Sequence, residues 1–179
     1  MEDHSTYLFF IVVFILLQTD CAALDTISAN QVMKYGETII SSGKIFELVF
    51  FSPGNSKNQY LGIWYKKVST GTVVWVANKE TPITDNSGMF KVSINGNLVI
   101  LSGGNTVVWS SNSTGSECSN NLAVVQLIDT GNLVVWCRDK KSTKQNLIWQ
   151  SFDYPGDTLL PRMMFGKDLV SGKERSMTC

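Results

Sequence analysis

Short apolar runs alternate with turn-forming clusters along almost the whole chain after residue 24. The runs consist of Val, Ile, Leu, Phe and Trp, and clusters of Gly, Asn, Ser, Asp and Pro separate them at intervals of roughly ten residues. No window of about 11 residues keeps a period of 3.6, so helices are not expected. The runs that predict strands are Ile45–Phe51, Tyr60–Tyr65, Val73–Ala77, Phe90–Ile94, Leu98–Leu101, Val107–Ser110, Ala123–Ile128, Leu133–Cys137 and Leu147–Gln150. The pattern predicts an all-β fold.

A repeated strand motif divides the chain into three similar units. The hexapeptide VVWVAN at positions 73–78 recurs as VVWSSN at positions 107–112, and a looser copy, LIWQS, occupies positions 147–151. The tetrapeptide GNLV at positions 96–99 recurs at positions 131–134. This spacing indicates a repeat of about 35 to 40 residues, which is enough for a small sheet but not for an independent core. Three such sheets around an axis would share one core.

The three repeated tryptophans are predicted to lie near this pseudo-threefold axis. Trp75, Trp109 and Trp149 occupy equivalent positions in the repeat. Large aromatic side chains on the inner faces of three sheets would fill the shared core. The alternative is that they form platforms on which sugar rings stack.

The N-terminus has the pattern of a secretory signal peptide. Leu8–Leu17 is an unbroken apolar run of ten residues, whereas a bilayer-spanning helix needs about 20. Small residues precede a cleavage point between Ala23 and Leu24. The acidic residues at positions 2 and 3 depart from the usual positive charge, and the alternative is a short buried helix. The sequence predicts a signal peptide at residues 1–23 and a secreted product.

Composition narrows the chemistry that the chain can perform. Lys and Arg total 15, as do Asp and Glu, so neither nucleic acid nor an anionic membrane is an expected partner. His4 is the sole histidine and would leave with the signal peptide, which excludes His-dependent nucleophile systems and His-ligated zinc. A carboxylate pair needs no histidine, but Asp153 and Asp157 are better explained as turn residues. No catalytic residue, metal site or cofactor is expected, and no membrane-spanning segment is expected after the signal peptide.

Cysteines and one sequon suggest extracellular processing. Cys118, Cys137 and Cys179 would remain after cleavage, and their odd number leaves at least one without an intrachain partner. A Cys118–Cys137 bridge would close a local loop. The alternative is that all three stay free or pair with another chain. Asn112 begins the chain's N-glycosylation sequon, Asn-Ser-Thr, in a polar segment that should be exposed.

Several long, irregular strings resemble one protein family. The GNLV and VVW segments resemble the bulb-type mannose-binding lectins. The strings FFSPGNSKNQYLGIWYKKV (50–68), VVWVANKETPI (73–83) and WQSFDYPGDTLLP (149–161) resemble more closely the extracellular region of plant S-domain, or G-type lectin, receptor-like serine/threonine kinases. This resemblance covers nearly all of residues 25–175.

The resemblance implies an architecture and a location. The expected fold is an all-β β-prism of three four-stranded antiparallel sheets with a pseudo-threefold internal repeat. Residues 24–152 would form a bulb-type lectin domain, and residues 153–179 the truncated start of an S-locus-glycoprotein-like region. The kinase of the full-length family would be absent from this chain, which would then not be an enzyme. The expected location is extracellular, or the plasma membrane for a full-length receptor.

The resemblance also implies where sugar would bind. The mannose-binding lectins carry the pattern Gln-x-Asp-x-Asn-x-Val-x-Tyr on a strand, with polar side chains on sugar hydroxyls and Val on the ring carbons. The second copy here would be Ser93, Asn95, Asn97, Val99 and Leu101. The third would be Ile128, Thr130, Asn132, Val134 and Trp136. Each keeps two of five residues. The first copy keeps none, with Ser56, Asn58, Tyr60, Gly62 and Trp64.

The pattern therefore predicts a degenerate carbohydrate site. Its candidate contacts are Asn95, Asn97, Val99, Asn132, Val134 and Trp136. Each lost polar partner weakens such a site by about 1–3 kcal/mol, so mannose binding is expected to be weak or absent. The alternative role for Asn97 and Asn132 is at a turn and at a strand entry.

Two functions fit these features. The first is a secreted or extracellular lectin-like recognition module with degenerate mannose sites, binding a mannose-type glycan weakly, a peptide or a partner receptor. The second is a dimerisation or decoy ectodomain that binds no sugar and pairs with another S-domain ectodomain of a full-length receptor.

Overall fold

The computed structural model describes residues 24–68, 71–93, 95–113, 118, 122–138, 144–156, 158–167, 169, 172 and 174–175. The predicted signal peptide, Cys179 and Asp157 lie outside these residues. The strands are β1 (Thr26–Ser28), β2 (Val32–Lys34), β3 (Thr38–Ile40), β4 (Phe46–Phe51), β5 (Tyr60–Tyr65), β6 (Val73–Val76), β7 (Met89–Val92), β8 (Leu98–Ser102), β9 (Thr106–Ser110), β10 (Ala123–Leu127), β11 (Leu133–Arg138), β12 (Gln145–Gln150), β13 (Gly166–Lys167) and β14 (Glu174–Arg175). A short 3₁₀ helix spans Ser151–Asp153.

Twelve of these strands form three antiparallel sheets of four strands each. The first sheet has the order β3-β4-β5-β6, the second β2-β7-β8-β9 and the third β1-β10-β11-β12. Strands β13 and β14 pair separately as a small hairpin. The predicted all-β β-prism of three four-stranded sheets is confirmed.

The three N-terminal strands were missed by the sequence pattern. Each of β1, β2 and β3 is only three residues long, too short to show an alternation of period two. Each joins a different sheet as its edge strand, through pairing with β10, β7 and β4 respectively. The segment from β1 to β3 therefore contributes one edge strand to each of the three sheets and connects them.

The pseudo-threefold repeat is visible in the strand register. The pairs Ile63↔Trp75, Ile100↔Trp109 and Val135↔Trp149 lie opposite each other in the three sheets. In every sheet the register shifts directly after the middle-strand residue of this pair. A β-bulge at the same place in each sheet gives each the same local bend. The predicted internal repeat is thus confirmed at the level of individual pairs.

The repeated tryptophans meet at the axis, as predicted. Their ring centroids lie 5.9 Å apart for Trp75–Trp109, 5.9 Å for Trp75–Trp149 and 6.3 Å for Trp109–Trp149, all edge to face. Edge-to-face contacts of this kind are the favoured aromatic geometry. Trp75 and Trp149 are buried in the core, and Trp109 packs against it half-buried. These indoles are core residues shared by three sheets.

Each middle strand begins with the same hydrogen bond, made by different residues. The N–H of Leu98 donates to Ser111 Oγ at 3.0 Å, and that of Leu133 donates to Ser151 Oγ at 3.0 Å. The residue of the first repeat that is equivalent to Ser111 and Ser151 is Ala77, whose side chain has no acceptor. The N–H of Leu61 donates instead to Asn78 Oδ1 at 2.8 Å. A buried N–H needs a partner, so the repeat keeps the bond when the side chain changes.

Candidate functional site

The motif positions of the second sheet surround the turn between β7 and β8. Asn95 is exposed, and its Oδ1 accepts a hydrogen bond from Ser93 Oγ. Asn97 is half-buried, and its Oδ1 accepts the backbone N–H of Ser113 at 2.7 Å. Val99 is half-buried on the face opposite the core, and Leu101 is buried. The amide oxygens of this copy thus bond within the chain.

The motif positions of the third sheet are still more enclosed. Asn132 is 5% exposed, and its Oδ1 accepts from Ser151 Oγ at 3.1 Å and from the N–H of Phe152 at 3.2 Å. Its Nδ2 donates to Gln150 Oε1 at 2.9 Å. Asn132 therefore fastens the 3₁₀ helix to the start of β11.

Other polar groups of the third sheet bond to one another. Trp136 Nε1 donates to Gln126 Oε1 at 3.3 Å, and Gln126 Nε2 donates to Asp25 Oδ2 at 3.1 Å. The same Asp25 oxygen accepts from Ser42 Oγ at 2.9 Å. Val134, the other retained motif residue, is buried.

The first sheet presents rings where the motif would place polar groups. Phe51, Tyr60 and Trp64 form an aromatic face, with ring centroids 6.0 Å apart for Phe51–Tyr60 and 5.5 Å for Phe51–Trp64. Gly62 makes this possible, since a Cβ there would lie 2.6 Å from Phe51 Cε1. All three rings are half-buried. Phe51 comes from the neighbouring strand β4, so a search along one strand could not have found it.

Charged groups border this aromatic face. Trp64 Nε1 donates to Glu47 Oε2 at 3.4 Å, and Lys66 Nζ lies 3.3 Å from Glu47 Oε1. The first sheet therefore combines apolar rings with one ion pair at their edge.

Asp153 anchors the chain that follows the third sheet. Its Oδ1 accepts from Gln150 Nε2 at 3.1 Å and from Arg175 Nε at 2.6 Å. A line of side chains thus runs from Asn132 through Gln150 and Asp153 to the β13–β14 hairpin. The sequence explained Asp153 as a turn residue and did not reveal its partner, which lies 22 positions away.

A cavity of about 710 Å³, here called the axial cleft, lies beside the tryptophans. It runs along β6 and is bounded by the end of β9 and by the turn at 153–156. Trp75, Trp109, Trp149 and Tyr154 line it together with valines of β6. The Tyr154 ring stacks on Trp149 with centroids 5.8 Å apart. The motif positions of the second and third sheets do not border it.

The predicted processing sites are placed as follows. Cys118 and Cys137 form a disulfide with Cα atoms 5.5 Å apart. Asn112 is exposed directly after β9, in the left-handed region at a φ of 46°.

Among the described residues, the carboxyl group of Asp85 has a shifted pKa. The hydroxyl and the backbone N–H of Ser87 donate to Asp85, and these bonds hold the pKa of the exposed carboxyl below its usual value. Within the described ranges, no group of three or more His, Cys, Asp or Glu residues is placed to hold a metal ion. In that same part of the chain, no helix is long and apolar enough to cross a bilayer.

Comparison with known proteins agrees with the three-sheet architecture. Residues 72–179 match the D-mannose binding lectin family. That range starts at β6, whereas the three sheets start at Thr26, so the matched part omits most of the first sheet. Two solved structures share the fold: a lectin from Marasmius oreades, at a TM-score of 0.51 and 18% identity over 72% of this chain and 90% of that one, and the Polygonatum cyrtonema lectin complexed with monomannoside, at 0.50 and 18% over 67% and 96%.

The curated relatives are far longer than this chain. The chain is 44% identical over 175 residues to the receptor-like serine/threonine-protein kinase SD1-8 of Arabidopsis thaliana, matching 96% of this chain but 20% of the relative. It is also 44% identical over 183 residues to the G-type lectin S-receptor-like serine/threonine-protein kinase SRK of the same species, matching 99% of this chain and 21% of the relative. The chain thus spans about a fifth of the length of these relatives.

Proposed function

Because the chain belongs to the D-mannose binding lectin family, we propose that it is an extracellular recognition module that no longer binds mannose through its motif positions. Residues 1–23 act as a signal peptide, 24–152 form the lectin domain, and 153–179 begin the following region. The relatives are named as receptor-like kinases, and this supports an extracellular location for the chain. The ten-residue apolar run at the N-terminus supports secretion.

The observation that carries this proposal is the use of the motif amides within the chain. Asn97 Oδ1 holds the backbone of Ser113, and both ends of the Asn132 amide are engaged. A sugar hydroxyl would have to replace these bonds rather than add to them. Exchange of one hydrogen bond for another gains little, so the net contribution to sugar binding is small. In the first sheet the position equivalent to Asn97 and Asn132 holds Tyr60, and Gly62 and Trp64 follow it, so these three positions offer no amide or carboxylate.

A glycan array tests the proposal on the secreted protein. The variants are Asn95→Ala and Asn97→Ala, and the matched control is Asn105→Ala, an exposed asparagine in the β8–β9 turn of the same sheet. We expect no signal on mannose-type glycans above background for any of the four proteins. Mannose binding that is lost in Asn97→Ala and retained in Asn105→Ala would show that the second-sheet site functions.

A second function, pairing with another S-domain ectodomain, is favoured by an exposed apolar segment. Five of the twelve exposed large hydrophobic side chains in the described residues lie between positions 154 and 169. They are Tyr154, Leu159, Met164, Phe165 and Leu169. Exposed apolar side chains this close together in the chain support the proposal that another protein covers this segment.

Light scattering after size exclusion tests this second function. If the segment mediates pairing, the protein is a dimer at micromolar concentration and a double variant, Met164→Ser with Phe165→Ser, is a monomer. Val107→Ser, at an exposed valine on β9, serves as the control and should leave the dimer intact. A monomeric parent protein at all concentrations would exclude self-pairing.

A further inference from the structure

The axial cleft has the composition of a binding site but has no assigned occupant. Of its aromatic lining residues, Trp109 and Tyr154 are partly exposed, whereas Trp75 and Trp149 are buried, and the exposed Glu80 and Glu174 also line it. A cavity of about 710 Å³ lies in the range typical of small-ligand sites, which combine apolar walls with a few polar groups. Tyr154, half exposed, stacks on Trp149 at one side of the opening. The cleft thus offers flat apolar surfaces next to hydrogen-bond acceptors.

The sequon asparagine lies on the wall of this cleft. Asn112 follows β9 directly and is both exposed and part of the cleft lining. Its backbone is held on either side, because its own N–H donates to Ser110 Oγ at 3.3 Å and Ser113 N–H donates to Asn97 Oδ1 at 2.7 Å. Asparagine tolerates the left-handed conformation that this position adopts. The backbone therefore fixes where the sequon asparagine lies in the lining of the cleft.

We propose that Asn112 carries an N-linked oligosaccharide whose first sugars lie in the axial cleft, against Trp109 and Tyr154. The inference rests on the proposed secretion, since the transfer takes place in the secretory pathway. In that transfer, Asn112 Nδ2 loses a proton and bonds to the anomeric carbon of a lipid-diphosphate-linked oligosaccharide. The bond from that carbon to the diphosphate oxygen breaks, and the diphosphate leaves with its electron pair.

The chemistry of a pyranose matches the cleft. One face of the ring presents C–H groups that suit an aromatic wall, and the hydroxyls at its edge suit carboxylate acceptors such as Glu80 and Glu174. A free sugar would bind such a surface weakly. A sugar tethered at the wall experiences an effective concentration in the millimolar range, so weak contacts are enough to hold it. The same attachment would cover apolar surface that is otherwise open to water.

Sequon variants of the secreted chain separate the effect of the sugar from that of the side chain. Asn112→Gln and Thr114→Ala both abolish the sequon, whereas Thr114→Ser keeps it and is the matched control. Glycopeptide masses report whether Asn112 is occupied. Binding of a hydrophobic fluorescent dye reports open apolar surface, and we expect it to rise about twofold or more in the two sugar-free variants but not in Thr114→Ser.

A spectroscopic measurement locates the sugar. The acetamido methyl group of the first N-acetylglucosamine, labelled with carbon-13, should shift upfield relative to the same glycopeptide after proteolysis, because the aromatic rings of the cleft shield it. Tyr154→Ala should reduce this shift while occupancy stays unchanged. A methyl signal at the peptide position, with equal dye binding in all variants, would overturn the placement in the cleft and leave the extracellular proposal standing. Absence of sugar at Asn112 of the secreted chain would overturn the inference, while recovery of that chain from the medium would leave the proposed secretion standing.

Discussion

The first and third sheets have the same order of long strands and the same register, yet their outer faces differ in chemistry. In both, the middle-strand residue opposite the axial tryptophan is buried, as Ile63 or Val135. On the outside, the first sheet carries the rings of Phe51, Tyr60 and Trp64. The third sheet carries amides that bond to one another and onward to Asp153.

This difference follows from what the two faces of each sheet contact. The inner faces meet at the axis, where each sheet must fit the other two, so a change in one copy disturbs all three. The outer-face side chains described above lie away from the axial tryptophans, so the fit between the sheets does not fix their chemistry. The repeat therefore predicts the core of each copy well but says little about what its outer surface binds.

The largest expected effect is at the axis. Trp75→Ala removes an indole that contacts both other tryptophans, and we expect the free energy of unfolding to fall by about 3–5 kcal/mol. Trp64→Ala, on the aromatic face of the same sheet, should cost about 1 kcal/mol, because its ring is half-exposed. Denaturant titration of both variants measures the contrast. Equal losses would show that the inner and outer faces do not differ in their structural roles.

Gly62→Ala should disturb the first sheet more than its small size suggests. The new Cβ would lie 2.6 Å from Phe51 Cε1 and 2.9 Å from the carbonyl oxygen of Trp75. We expect a loss of about 1–3 kcal/mol in unfolding free energy. Adding Phe51→Leu should restore part of it, because the ring is removed while the contact with the carbonyl remains. A Gly62→Ala protein as stable as the parent would contradict the close packing of this face.

The strand-opening hydrogen bond gives a smaller test that compares the repeats directly. Ser151→Ala leaves the buried N–H of Leu133 without its acceptor, and the expected cost is about 1–3 kcal/mol. Ala77→Ser, at the equivalent position of the first sheet, should change stability by no more than about 0.5 kcal/mol, because Asn78 already accepts the N–H of Leu61. Thermal unfolding of the two variants provides the comparison, and a large gain from Ala77→Ser would show that Asn78 is an inadequate substitute.

The smallest expected effect on global stability is at Arg175. Arg175→Gln removes the ion pair with Asp153, but the hairpin it fastens can open without unfolding the three sheets. We expect a change of less than about 1 kcal/mol in global unfolding free energy, together with faster cleavage by trypsin after Lys167. Unchanged cleavage kinetics would show that the ion pair does not hold the hairpin.

The sequence predicted those features that repeat or alternate over enough residues. The longer strands and the axial tryptophans were found because each copy supports the others. Strands β1 to β3 were not predicted because a segment of three residues is too short to show an alternation of apolar and polar positions. Their pairing also depends on partners up to about a hundred positions away in the chain. Two contacts depend on how separate segments pack and could not be predicted: the Phe51 ring against Gly62, and the ion pair between Arg175 and Asp153. The loss of the motif residues on either side of Asn132 could be predicted from the sequence, but the burial of Asn132 itself against the 3₁₀ helix could not.

A titration with methyl mannoside, followed by NMR of the side-chain amides of Asn97 and Asn132, tests the central claim most directly. The amide signals report both the internal hydrogen bonds and any contact with sugar. We expect no saturable shift of either signal up to millimolar sugar, and slow hydrogen exchange for Asn132 Nδ2, which is buried against Gln150. A saturable shift at Asn97 or Asn132 would show that the motif amides still bind mannose and would contradict the account.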